Sequence, residues 1–140
     1  MHKQYISNSE EETKKIATQI FGELGGGSVV GLKGDLGAGK TLFVKGVMEL
    51  LNPTIVLTSP TFVIRNDYNV DFKEVKKIIH IDLYRLDLVT KENDEFLEGV
   101  GDKDAITFIE WPERLSNVYK KKMVNITIDF SKNDSRIITV

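Results

Sequence analysis

Gly34-Asp35-Leu36-Gly37-Ala38-Gly39-Lys40-Thr41 is the stretch that decides the fold. It matches the pattern G-x-x-x-x-G-K-[ST], and elementary chemistry explains the spacing. A polyphosphate needs several donors gathered in a small concave space. Glycines let consecutive backbone N–H groups converge on it without Cβ clashes. A helix starting at the end of the loop adds its positive N-terminal partial charge. Lys40 is then in reach of the β- and γ-phosphates, and the Thr41 hydroxyl can ligate magnesium. With glycine at about 7% of residues, the four fixed positions arise by chance on the order of once in hundreds of such chains. The candidate nucleotide-binding residues of the loop are Gly34, Asp35, Leu36, Gly37, Ala38, Gly39, Lys40, Thr41 and Leu42.

The flanking sequence has the context such a loop requires. Val29-Val30-Gly31-Leu32 leads in as a buried strand, and a helical pattern runs over residues 40–51, with Pro53 just beyond. Upstream, Ser9 and Glu12 form a capping-box pattern. Ile16, Ile20 and Leu24 follow at helical spacing, with Ala17 and Phe21 on the adjoining stripe, and Gly25-Gly26-Gly27 is the expected stop. Downstream, residues 55–57 read as a short strand and residues 62–68 as an antiparallel strand. Proline disfavours helix at Ser59, so Thr58-Ser59-Pro60-Thr61 reads as a loop. Residues 78–83 form an apolar run broken by His80, residues 90–97 are weakly helical, and residues 105–109 read as a buried strand. Residues 123–130 and 136–140 read as a hairpin about a turn at 131–134. The expectation is a three-layer α/β P-loop NTPase fold, one domain over residues 1–140. Its sheet is mainly parallel with antiparallel edge strands, and the loop sits at the C-terminal end of its first strand.

A phosphate loop needs a carboxylate to hold magnesium and often another to orient water. Two acids end buried strands. Asp82 closes Ile78-Ile79-His80-Ile81, and Glu110 closes Ile106-Thr107-Phe108-Ile109. Asp82 is assigned to the magnesium shell and Glu110 to the attacking water; the roles are exchangeable, and both acids are candidates to touch the metal. The catalytic candidates are thus Glu110, Lys40 and Asp82, and the metal candidates Thr41, Asp82 and Glu110. On the residues alone, Ser59-Pro60-Thr61 is a turn first and a γ-phosphate switch second. Trp111, the only tryptophan, is core packing first and a lid second. His80 reads as a hydrogen-bonded core histidine, and Lys120-Lys121-Lys122 as a solvated turn. No Asn-Lys-x-Asp segment of the guanine-reading kind is present, which favours ATP over GTP.

Composition narrows the class further. The chain has 140 residues, 41% hydrophobic and 29% charged, which excludes a disordered tail, a fibre and a membrane protein. Acidic residues number 21 and basic ones 19, a net charge of −2, so overall charge supplies no general attraction to nucleic acid or anionic lipid. With no cysteine there is no disulfide, thiolate nucleophile or Cys-type metal site. No run approaches the roughly 18 apolar residues of a membrane span. The opening Met-His-Lys-Gln-Tyr-Ile-Ser-Asn-Ser has no apolar core, so no secretory signal is expected and the expected location is the cytoplasm.

Taken together, the motifs resemble the bacterial TsaE (YjeE) family, small ATPases needed for threonylcarbamoyladenosine formation in tRNA. The pieces that carry the resemblance are Gly34 to Thr41, Ser59-Pro60-Thr61-Phe62, His80-Ile81-Asp82-Leu83-Tyr84-Arg85-Leu86 and Ile109-Glu110-Trp111-Pro112-Glu113-Arg114. An early Glu-Glu-Thr ending at Thr13 also fits. Lys33 stands where the family pattern has serine, and the resemblance is weak over residues 88–104 and after Tyr119. The resemblance implies ATP/ADP and Mg2+ as ligands, with roles for Lys40, Thr41, Asp82 and Glu110 like those above. It implies that Thr13 and Arg136 border the base or ribose, that Trp111 lies near the site, and that Thr61 is a switch element. It also implies TsaB and TsaD proteins as partners, with tRNA engaged indirectly through them. Two other classes remain open: a small-molecule phosphoryl transferase, for which no acceptor-binding insertion is visible, and a nucleotide-dependent adaptor in which hydrolysis is incidental.

Overall fold

The apolar run leading into the glycine loop is the central strand of the sheet. The computed structural model describes residues 2–57, 64–131 and 133–140. In it, β2 (Val29–Lys33) pairs in parallel with β5 (Ala105–Glu110) on one side and β6 (Val124–Phe130) on the other. Strand β4 (Val75–Asp82) adds in parallel to β5. Three antiparallel strands finish the edges: β3 (Arg65–Phe72) on β4, and β7 (Arg136–Thr139) followed by β1 (Gln4–Ser7) beyond β6. The seven-stranded order is β1-β7-β6-β2-β5-β4-β3. The parallel centre is covered on both faces, which is why β2 and β5 read as continuous apolar runs without alternation.

One face carries two helices. Helix α1 (Glu10–Gly22) starts where Ser9 Oγ accepts from the Glu12 N–H at 3.1 Å, while the Glu12 carboxylate accepts from the Asn8 N–H at 2.9 Å. It ends with Glu23 as its cap, short of the expected glycine stop. Helix α2 spans Lys40–Leu51. Ala17, Ile20 and Phe21 of α1 and Phe43, Val44, Val47 and Met48 of α2 bury against Val30, Leu32, Ile78, Phe108, Ile126 and Ile128. The Phe43 and Phe108 rings pack with centroids 6.2 Å apart and fix α2 to β5. The other face, with Ile79, Ile81 and Ile109, is covered by Leu83, Val89 and Leu115. That third layer is built of loops and three short 3-10 turns, Glu95–Leu97, Pro112–Arg114 and Asn117–Tyr119. Among the described residues no helix is long and apolar enough to cross a membrane.

The expected parallel sheet, antiparallel edges and terminal hairpin are present. Some elements differ. Strand β1 precedes the loop-bearing strand and lacks a readable apolar alternation. Residues 55–57 are not a strand, because β3 occupies the free side of β4. Ile55 and Leu57 instead pack on the helix-side core. The strand expected at 62–68 runs Arg65–Phe72, and the expected helix at 90–97 is turns ending in the 3-10 turn Glu95–Leu97. Ser59, Pro60, Thr61 and Phe62 lie outside the described residues.

Candidate functional site

The glycine loop leaves β2 and turns sharply into α2. Gly34 has φ +150°, and a Cβ there would run into the Ile128 carbonyl oxygen. Gly39, the N-cap of α2, has φ +119°, and a Cβ there would lie 3.1 Å from Arg136 Nε. Only glycine meets both demands at these two positions. Arg136, on β7, donates from Nε to the Ala38 carbonyl at 2.7 Å and so braces the loop from the sheet. Lys40 is buried, and its Nζ donates to the Gly34 carbonyl and lies 3.7 Å from the centroid of the Trp111 ring. Burial pulls the Lys40 ammonium below its usual pKa range, opposed by the carboxylates of Glu110, Glu113, Asp82 and Asp35.

The two strand-ending acids lie side by side, since Asp82 pairs with Glu110 in the β4–β5 register. Glu110 is 3% exposed. The Thr41 hydroxyl lies 3.2 and 3.1 Å from its two carboxylate oxygens and donates its single proton between them. His80 Nε2 is 2.6 Å from Glu110 Oε2. Asp82 is less buried, and its Oδ1 accepts from the Tyr84 N–H at 3.0 Å. Burial raises the Asp82 pKa; the Tyr84 N–H opposes that shift and neighbouring Glu110 adds to it. Directly after Glu110 the chain adopts a left-handed turn at Trp111, φ 61°, which is costly for a non-glycine residue. The turn sets the indole over Lys40 and beside Tyr84, whose ring centroid is 5.1 Å away.

These groups face one cleft of about 380 Å³. It gathers Leu36, Gly37, Gly39, Lys40, Thr41 and Leu42 from the loop and α2, with Asp82, Glu110, Trp111 and Arg136 from three other parts of the sheet. Asp35 and Ala38 face a smaller recess of about 130 Å³ with Ile128 and Phe130, and Gly34 marks the strand exit. Thr13 does not line the cleft. It is fully buried, and its hydroxyl is 2.7 Å from Ser7 Oγ and 3.2 Å from the Ser9 carbonyl. Thr61 lies outside the described residues. Glu10, Tyr84 and Arg85 line the cleft, and none of them is among the site candidates the sequence offered. Tyr84 and Arg85 stand two and three residues after Asp82, within the stretch His80 to Leu86, so nearness to a strand-end acid in that motif was their available signal; Glu10 carried only that of a helix first turn.

The donor set suits a hard divalent cation. Among the described residues, no three His, Cys, Asp or Glu side chains gather into a cation cage. Magnesium does not require one, because it is commonly held by one or two carboxylates together with phosphate oxygens. The Thr41 hydroxyl against the Glu110 carboxylate, with Asp82 alongside, is a partial oxygen shell of that kind.

Comparison with known proteins agrees with this geometry. The family model for "Threonylcarbamoyl adenosine biosynthesis protein TsaE" matches residues 7–138. The Aquifex aeolicus tRNA threonylcarbamoyladenosine biosynthesis protein TsaE is 43% identical over 115 residues, covering 80% of this chain and 78% of that protein. Its Bacillus subtilis counterpart is 36% identical over 131 residues, 92% of this chain and 78% of that one. The crystal structure of Bacillus subtilis YdiB superposes with a TM-score of 0.70 at 30% identity, over 99% of this chain and 84% of that one. A parallel sheet carrying this loop, matched along nearly its whole length in sequence and in structure, makes the chain a P-loop NTPase-fold member of the TsaE family.

Proposed function

We propose that this chain binds ATP with magnesium and hydrolyses it, as an accessory ATPase in the threonylcarbamoyladenosine modification of tRNA. The observation that carries the reading is the contact of Thr41 with Glu110, at 3.1 Å, beside the buried Lys40. Loop N–H groups and the positive end of α2 receive the phosphates. The Lys40 ammonium exchanges the Gly34 carbonyl for phosphate oxygen, and the Trp111 ring shields it from water. Thr41 and Glu110 would hold magnesium, which supplies charge neutralisation on the phosphates. Of the two exchangeable acid roles, this contact favours Glu110 for the metal, and Asp82 then orients the attacking water. Its raised pKa suits a group that accepts a hydrogen bond from water and takes up a proton. Arg136 borders the ribose or base, Thr13 supports the start of α1 through Ser7 and Ser9, and Thr61 senses the γ-phosphate.

In this reading residues 1–140 act as one ATPase domain in the cytoplasm, and its partners are the TsaB and TsaD proteins, which hold the tRNA. Phosphate release from ATP, measured for the chain alone and with TsaB plus TsaD, tests it. Stimulation by the pair is the expected result. Hydrolysis indifferent to them contradicts the partner assignment, and phosphate transferred to a small metabolite contradicts the hydrolase assignment.

A further inference from the structure

His80 is fully buried on β4, on the same face as Ile78 and in register with Phe108. An apolar side chain would fill such a slot without polar loose ends. Among the described residues, the histidine Nδ1 is buried with no hydrogen-bond partner. An unpaired buried polar atom is unfavourable. What histidine gains at this position is the 2.6 Å contact of Nε2 with Glu110 Oε2. A carboxylate oxygen accepts, so Nε2 is the ring nitrogen that carries the donated proton.

We propose that His80 is a positioning residue: it holds the Glu110 carboxylate against Thr41 and thereby sets how tightly the nucleotide site takes a divalent cation. The inference rests on the reading of Thr41 and Glu110 as the metal-holding pair. Glutamate has three side-chain torsions, and Thr41 has one hydroxyl proton to offer. A second donor, from a different element, removes the remaining freedom: Thr41 comes from α2 and His80 from β4. Partners of this kind, bonded to a metal-holding group, typically change metal affinity or activity by about 10–100-fold when removed.

The test has two readouts that do not require turnover. The first is the tautomer of His80 by long-range 1H–15N NMR on the nucleotide-free protein, which has only two histidines, His80 and the exposed His2. A proton on Nε2 is expected, and a ring protonated on Nδ1 alone overturns the proposal. The second is Mn2+ affinity by electron paramagnetic resonance in saturating non-hydrolysable ATP analogue. His80→Leu is expected to weaken Mn2+ about tenfold or more, while nucleotide affinity in chelator stays within about twofold. His80→Gln, which returns an N–H donor near the Nε2 position, is expected to recover most of the loss. If Thr41→Ala loses Mn2+ while His80→Leu keeps wild-type affinity, this inference alone falls. If Thr41→Ala also keeps it, the metal-holding reading falls and takes the inference with it.

Discussion

Lys40 and Asp82 hold opposite charges that burial opposes, and that tension is the residue-scale signature of the site. Lys40→Ala removes a charge-assisted donor worth about 1.5–3 kcal/mol, so ATP affinity should fall about 10–100-fold, read by isothermal titration. The Asp82 carboxyl binds its proton more tightly folded than unfolded, since its folded pKa is raised. Stability therefore falls as pH rises through the interval between the unfolded and folded pKa values, and neutral pH keeps the full penalty. Asp82→Asn should raise Tm at pH 7 and lose hydrolysis. The gain in Tm should disappear once pH drops below the unfolded carboxylate value of about 3.9, where wild-type Asp82 is protonated in both states. Thermal melts at pH 7 and pH 3 check this. Much of the site was legible because its members sit at positions that spacing marks: Lys40 and Thr41 inside the glycine pattern, Asp82 and Glu110 at strand ends. The Thr41–Glu110–His80 chain was not legible, since it joins residues from three separate elements. The left-handed turn at Trp111 leaves no mark in composition either.

At the scale of elements, the helices were readable from caps and periodicity, and the strands buried on both faces from apolar runs. Edge strand β1 and the layer of short turns were not, because their residues make neither a period nor a long apolar run. Two substitutions separate local stability from function. Ser9→Ala removes the acceptor for the Glu12 N–H and should destabilise the fold by about 0.5–2 kcal/mol in urea titration. Nucleotide affinity should be unchanged, because α1 meets the cleft only through Glu10. Phe43→Ala empties a fully buried slot against Phe108 and should destabilise by about 3–5 kcal/mol. It should also weaken nucleotide binding, since Phe43 anchors the first turn of α2, where its N–H bonds the Gly39 carbonyl at 2.9 Å.

For the molecule as a whole, a net charge of −2 argues against unaided RNA binding, yet the family works in tRNA modification. The two fit together if this chain supplies the nucleotide cycle and its partners hold the tRNA. Alone, it should not retard tRNA in a gel at about 10 µM protein and physiological salt, where non-specific binders with a basic face do. The most direct test of the nucleotide site compares wild type with Glu110→Ala for phosphate release from ATP, with magnesium, TsaB and TsaD present. Partner-stimulated release by the wild type is expected, with a loss of about a hundredfold or more in the variant, because a metal-holding carboxylate serves the transition state. Full stimulated turnover by Glu110→Ala would contradict it.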